Sequence, residues 1–256
     1  MRTRLDVLLV ERGLAPSRER ARALILAGQV RVNGQLESKA GTPVATDASV
    51  TLTTPDHPYV GRGGVKLAHA LDTFSIDVSG REALDVGAST GGFTDVLLRR
   101  GAARVIALDV GHGQLDWRLR TDPRVIVREH VNARALTVVD VPHRVGIVCV
   151  DVSFISLRHI LPALWPFLDP KADVVALVKP QFEAGRDDVG KGGLVTDPAV
   201  HRVVVERVIG DAEKAGLHYV SQTPSPITGA TGNQEFFLHL KNAGLMRERG
   251  NEGTGE

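Results

Sequence analysis

Two apolar runs in this 256-residue chain end on a charged side chain. Val174 to Val178 is followed directly by Lys179, with Pro180 stopping the run, and GIVCV (146–150) is followed by Asp151. Lysine is among the residues least often buried, so a buried strand that ends on one delivers an ammonium group to its own carboxyl end. An amine and a carboxylate at one strand edge can orient a hydroxyl and take part in moving its proton.

A third candidate is LDVGASTGGFTD (84–95). Gly87, Gly91 and Gly92 let the backbone turn tightly, approach a ligand and start a helix at Phe93. A dinucleotide site would read G-x-G-x-x-G, whereas this loop reads G-x-x-x-G-G. The distinction matters because a dinucleotide brings a pyrophosphate, and S-adenosylmethionine brings an amino-acid end. Asp85 can meet such an ammonium, directly or through water. Asp109, at the end of the next strand, can accept both hydroxyls of a ribose, and Asn132 can reach the adenine region. The expected cofactor-binding set is Asp85, Gly87, Ala88, Ser89, Gly91, Gly92, Phe93, Asp109, Val110, Asn132 and Asp151.

These residues need a scaffold that brings strand ends together. From Glu82 onward EALDV, RVIALDV, RVIVRE, GIVCVDV, DVVALV, LHYVSQ and EFFLHL read as strands, with FTDVLLRR and HRVVVERVIGDAEKAG as helices between them. Such alternation predicts an α/β fold with a parallel sheet covered on both faces and ligands at the carboxyl ends of its strands. The last two strands have only a loop between them, which suits an antiparallel closing hairpin. Glu235 then starts a strand at the same edge, and Lys66 opens the helical run LAHALDTF ahead of the first strand. The glycine-rich stretch 183–198 reads equally well as a substrate-covering loop and as a solvated connector. Trp117 and Trp165 fall on helical patterns and are expected in the core.

Residues 1–54 carry eight Lys/Arg against five Asp/Glu, and the remainder carries 23 against 25. The basic surplus therefore sits in a small N-terminal segment, as in an accessory nucleic-acid module. Thr3 and Asp6 have capping-box spacing before Leu5, Leu8 and Leu9. Ser17 can cap SRERARALILAG, with Ala21, Leu24, Ile25 and Gly28 inward and Arg18, Arg20 and Arg22 outward. Asn33-Gly34 signals a hairpin turn, and SVTLTT reads as a closing strand. Pro55, Pro58 and Gly61 to Gly64 read as a linker spanning 55–64.

The charge-broken N-terminus holds no signal-peptide core, and no apolar run approaches the roughly 18 residues of a spanning helix. A cytoplasmic protein is the simplest expectation. Cys149 is the single cysteine and is expected to be a buried structural thiol. The nine histidines show no metal-ligand spacing, so no metal is expected. The tail beyond residue 244 is expected to be disordered.

The two halves carry resemblances. Residues 3–50, through their two short helices and the AGQVRVNGQ turn, resemble the small RNA-binding domain of a ribosomal small-subunit protein that pseudouridine synthases share. DVGASTGGF, ALDVGHGQLDWRLR, DVSFISLRHILP, LVKPQFEAG and GNQEFFLHL resemble the TlyA family, which joins that module to an FtsJ-type methyltransferase domain. The resemblance implies a Rossmann-like class I methyltransferase sheet over 65–244 and S-adenosyl-L-methionine as cofactor. It further implies 2′-O-methylation of cytidine ribose in ribosomal RNA, with ribosomal RNA or ribosomal subunits as partners. Arg4, Arg18, Arg20 and Arg22 would touch RNA phosphates. The family's Lys-Asp-Lys-Glu tetrad falls on Lys66, Asp151, Lys179 and Glu235. Lys179 is then the best placed general base for direct methyl transfer, although a free lysine titrates near about 10.4. Two other readings stand beside this one. One is a catalytically silent RNA-binding or assembly protein; the other is a membrane-lysing haemolysin, a name the family has also carried.

Overall fold

The computed structural model describes residues 2–53 and 57–242. The tail expected to be disordered lies outside the described residues, as does part of the linker segment. The chain divides into two units between Pro58 and Tyr59.

In the first unit β1 (Arg2–Arg4) runs straight into α1 (Leu5–Glu11), and α2 (Arg18–Leu26) follows. Four short strands come next: β2 (Val30–Val32), β3 (Gln35–Leu36), β4 (Pro43–Ala45) and β5 (Val50–Leu52). β1 pairs with β4, and β2 sits between β3 and β5. Leu5, Leu8, Leu9, Ala21, Leu24, Ile25 and Val30 form one small core. Ser17 caps α2, its hydroxyl accepting from the Arg20 amide at 3.2 Å. The capping box at Thr3 and Asp6 does not form. Thr3 lies in β1 opposite Val44, and the Asp6 carboxylate turns instead to three arginine side chains.

The second unit opens with α3 (Arg62–Phe74), β6 (Glu82–Val86), α4 (Gly92–Arg99), β7 (Arg104–Leu108), α5 (Trp117–Arg120) and β8 (Val125–Arg128). It continues with β9 (Val145–Val150), α6 (Leu161–Leu164), β10 (Leu168–Val178), α7 (Pro180–Glu183), α8 (Pro198–Lys214), β11 (Leu217–Pro224) and β12 (Phe236–Asn242). The seven strands form one sheet in the order β11-β12-β10-β9-β6-β7-β8. β10, β9, β6, β7 and β8 are parallel, and β12 runs antiparallel between β10 and β11. Strand side chains alternate between two cores. Leu84, Val86, Val148, Val150, Ala176 and Val178 face α8 and its neighbours. Ala83, Ile147, Cys149, Val175, Leu177 and Phe237 face α3 and α4. Both sheet faces are therefore covered, which explains strands with no polar alternation.

Two expectations need correcting. Arg62, Gly63 and Gly64 are the first turn of α3 and not linker. This turn crosses close to α4, where Gly92 is needed: a Cβ there would lie 2.9 Å from the Gly64 amide nitrogen. Trp117 is 72% exposed and Trp165 is 49% exposed, so neither is core. The four-residue α5 buries Leu119, and its short length leaves no inward position for the indole.

Candidate active site

The strand register decides which charges meet. Val86 stands opposite Val150 across β6 and β9, and Val178 stands opposite Phe236 across β10 and β12. Asp151 and Lys179 each follow the last residue of a parallel strand, and Glu235 precedes the first residue of the antiparallel one. All three consequently emerge at one edge of the sheet.

There the charges form two ion pairs. Lys179 Nζ lies 2.6 Å from Asp151 Oδ1 and donates a 2.9 Å hydrogen bond to Ser153 Oγ. Lys66, brought in on the inner face of α3, lies with Nζ 2.5 Å from Glu235 Oε2, and both side chains are buried. Room for the glutamate comes from Gly229, where a Cβ would lie 2.4 Å from Glu235 Oε1. The Lys179 pair is more open, with side-chain exposures of 11% and 20%.

Beside Asp151 a cavity of about 530 Å³ opens along the ends of β6, β7 and β9. Gly87, Ser89, Asp109, Val110, Asn132 and Asp151 line it. Gly87 has a positive φ of 88°, and a Cβ there would lie 2.3 Å from the Asp151 carbonyl, so the loop passes this point only as glycine. Asp109 is held by two backbone amides, Ser89 on Oδ2 at 2.8 Å and Gly111 on Oδ1 at 2.7 Å. The exposed Asn132 side chain accepts from the Arg134 amide at 3.1 Å.

Asp85, Ala88, Gly91, Gly92 and Phe93 do not line this cavity. Ala88 is buried, and Phe93 packs in the core with its ring 6.2 Å from that of Phe237. Gly91 makes room for Leu115 and Leu119. Asp85 is completely buried. Its Oδ2 accepts from Thr94 Oγ1 at 2.6 Å, while Oδ1 has no hydrogen-bond partner. Burial, with Asp151 and Asp109 adding repulsion, pushes this carboxyl up to about 7 against the pull of the Thr94 hydrogen bond.

Ser153, Phe154, Arg134 and Gln114 also line the cavity, and sequence reasoning passed over them. For the first three the signal was position, since Ser153 and Phe154 come two and three residues after Asp151 and Arg134 comes two after Asn132. Gln114 carried no such signal. Phe154 is 90% exposed at a left-handed φ of 63°. Its ring lies 5.0 Å from that of Phe182. Arg134, Arg158 and Arg186 line an adjoining hollow with these two rings. The glycine-rich stretch after α7 forms one helical turn, Arg186–Asp188, and then a glycine turn at Lys191–Gly193, where Gly192 and Gly193 have positive φ. The buried Asn233 side chain pins it, donating to Gly193 O and accepting from the Val195 amide, both at 2.8 Å.

In the first unit the fully buried Asp6 carboxylate accepts from Arg4 at 3.0 and 3.1 Å, and from Arg18 and Arg22 at 3.2 Å. The hydrogen bond from Arg4 contributes most to holding this carboxyl well below the usual range. The three guanidinium side chains remain about half exposed. Arg20 lies between Arg18 and Arg22 on the same helix. Among the described residues no helix is long and apolar enough to cross a membrane. Nor is there a group of three or more His, Cys, Asp or Glu placed to hold a metal ion.

Residues 59–242 match the FtsJ-like methyltransferase family, and residues 3–50 match the S4 domain. The chain is 50% identical over 241 residues to the 16S/23S rRNA (cytidine-2′-O)-methyltransferase TlyA of Mycobacterium tuberculosis, covering 94% of this chain and 90% of that one. It is 42% identical to Hemolysin A of Brachyspira hyodysenteriae, over 93% of this chain and 99% of that one. The solved structure of a hemolysin-named protein from Streptococcus thermophilus superposes with a TM-score of 0.75 at 43% identity, over 94% and 88% of the two chains.

Proposed function

This chain belongs to the TlyA family, an S4 domain joined to an FtsJ-like methyltransferase domain, and on that premise we propose that it methylates cytidine ribose 2′-hydroxyls of ribosomal RNA from S-adenosylmethionine. The observation that carries the reading is the Lys179–Asp151 pair at the rim of the cavity, within reach of Ser153.

The residues present fit the cofactor. Asp109 and Asp151 line the cavity beside the glycine loop, an acidic setting that repels a pyrophosphate and suits a ligand carrying a positive charge and ribose hydroxyls. Asp109 would hold the ribose, Asn132 the adenine end, and Gly87 and Ser89 the close backbone approach. Asp85, beneath the loop with an unpartnered oxygen, would answer the ligand's ammonium across the first layer of atoms. When bound, S-adenosylmethionine supplies a methyl group activated on a sulfonium.

The chain's own part is to ready the acceptor. A ribose hydroxyl is a poor nucleophile until its proton is lost or shared. Lys179 would release its own proton to solvent and then take the hydroxyl's proton on Nζ, and Asp151 and Ser153 fix where Nζ points. Lys66 and Glu235 neutralise one another at the same edge of the sheet. In-line positioning supplies the rest. The exposed Phe154 ring and the half-buried Phe182 ring beside Arg134, Arg158 and Arg186 suit an approaching single-stranded nucleic acid, which offers base faces and phosphates together.

Mapping ribose-methylated cytidines in ribosomal RNA, from cells with and without this protein, tests the reading. At least one site should disappear with the protein; an unchanged map contradicts it. A silent RNA-binding role leaves the Lys179–Asp151 pair and the cavity without a purpose.

A further inference from the structure

Phe154 poses a problem of stability. It is a bulky residue held at a left-handed φ of 63° with its side chain 90% exposed, so no burial offsets the strain. Strain of this kind persists only where the surroundings over-determine it. Phe154 lies in the segment Val152–Ile155, which forms one wall of the cavity.

The one-turn helix α7 grips that segment from both ends. At its start Lys179 holds Asp151 at 2.6 Å and Ser153 at 2.9 Å. At its end Glu183 uses both carboxylate oxygens on the far side of the segment. Oε2 accepts from Ser156 Oγ at 2.6 Å, and Oε1 accepts from the Leu157 amide at 2.7 Å. Phe182, one residue before, meets the Phe154 ring at 5.0 Å. The grip is itself anchored, because Arg207 on α8 donates to the Glu183 carbonyl at 3.1 Å. Ser156 closes the arrangement by capping the following turn, its hydroxyl accepting from the Arg158 amide at 3.3 Å.

We infer that Glu183 is a positioning residue for methyl transfer: its two hydrogen bonds clamp Ser156 and Leu157, and so fix the strained cavity wall and the Ser153 hydroxyl that Lys179 addresses. The inference rests on the methyltransferase reading for its effect on rate, though not for the clamp itself. Glu183 touches neither the hydroxyl acceptor nor the cavity lining, so it acts through the loop. Without it the wall is held only at the Lys179 end and by the Phe182 ring, and the Ser156 end of the segment is free to relax.

The test uses the full chain as Glu183→Met, which keeps volume without an acceptor, and Glu183→Gln, whose amide can accept from Leu157 and donate to Ser156. Deuterium exchange of segment 152–159, on chain saturated with S-adenosylhomocysteine, reads the clamp without any reaction. Glu183→Met should speed exchange there by about tenfold, as expected for the loss of a buried acceptor. It should also lower kcat by about tenfold to a hundredfold, with KM for ribosomal RNA nearly unchanged, the signature of misplaced groups. Glu183→Gln should recover most of both effects. Unchanged exchange in Glu183→Met, or a kcat equal to that of the unaltered chain, overturns the inference. If the unaltered chain transfers no methyl group, the methyltransferase reading fails instead, and the exchange comparison still decides the clamp.

Discussion

Lys66 and Glu235, 169 residues apart in the chain, meet at 2.5 Å in a setting that leaves 10% and 2% of their side chains exposed. Removing either partner strands a buried charge, which costs on the order of 3–5 kcal/mol. Glu235→Ala and Lys66→Ala should each destabilise by about that much in urea titrations, and the double change Lys66→Met with Glu235→Leu should recover much of it. Methylation should stay low in all three. Recovery of activity in the double variant would show that the pair serves folding only.

Asp85 makes stability depend on pH in an unusual direction. Its carboxyl sits at about 7 in the folded chain, above its unfolded value. A raised group binds its proton more tightly when folded, so its contribution is complete at low pH and is lost as pH rises through 7. The loss is on the order of 4 kcal/mol across that range. Without cofactor, Asp85→Asn should match the unaltered chain near pH 4 and be clearly more stable at pH 8. A stability difference that does not grow with pH contradicts the assignment.

Asp6 separates net charge from arrangement. Asp6→Asn makes the first unit more basic, so charge alone predicts tighter RNA binding. If Arg4, Arg18 and Arg22 work as an ordered trio around the carboxylate, the same change should weaken RNA binding several-fold. It should also remove stability that the depressed Asp6 carboxyl provides at neutral pH and loses as acid protonates it. RNA titrations at fixed salt decide between the two, and tighter binding by Asp6→Asn rules out the trio.

The first unit has its own core. Deleting residues 1–54 should leave S-adenosylhomocysteine affinity within about twofold, and lower activity on ribosomal RNA by at least about a hundredfold, as loss of phosphate contacts predicts. Undiminished activity on that RNA removes the S4 domain from substrate binding.

Much of this arrangement was readable in the sequence because strand ends are. Apolar runs of five residues that stop on Asp151 and Lys179 announce both the strand and the edge, and the loop-joined last pair announces the antiparallel β12 that returns Glu235 there. What escaped was set by tertiary packing. Gly91, Gly92 and Gly64 look like ligand-loop and linker glycines, yet they make room for two leucines, the start of α3 and the Tyr59 side chain respectively. Asp85 looks like a ligand-facing carboxylate and lies beneath the cavity. Asp6 has the spacing of a helix cap, but its neighbour Arg4 and the distant Arg18 and Arg22 take the carboxylate instead. Trp117 follows a helical pattern too short to bury it. Periodicity says which side of an element faces inward, and only the assembled fold says what fills each gap.

Lys179 is proposed to ready a ribose hydroxyl beside a bound S-adenosylmethionine. Transfer of tritium from methyl-labelled cofactor to ribosomal RNA, compared between the unaltered chain and Lys179→Ala, tests it most directly, with S-adenosylhomocysteine affinity measured on both. Transfer should fall by about a hundredfold or more, with affinity for S-adenosylhomocysteine retained. Transfer by Lys179→Ala at the rate of the unaltered chain would contradict it.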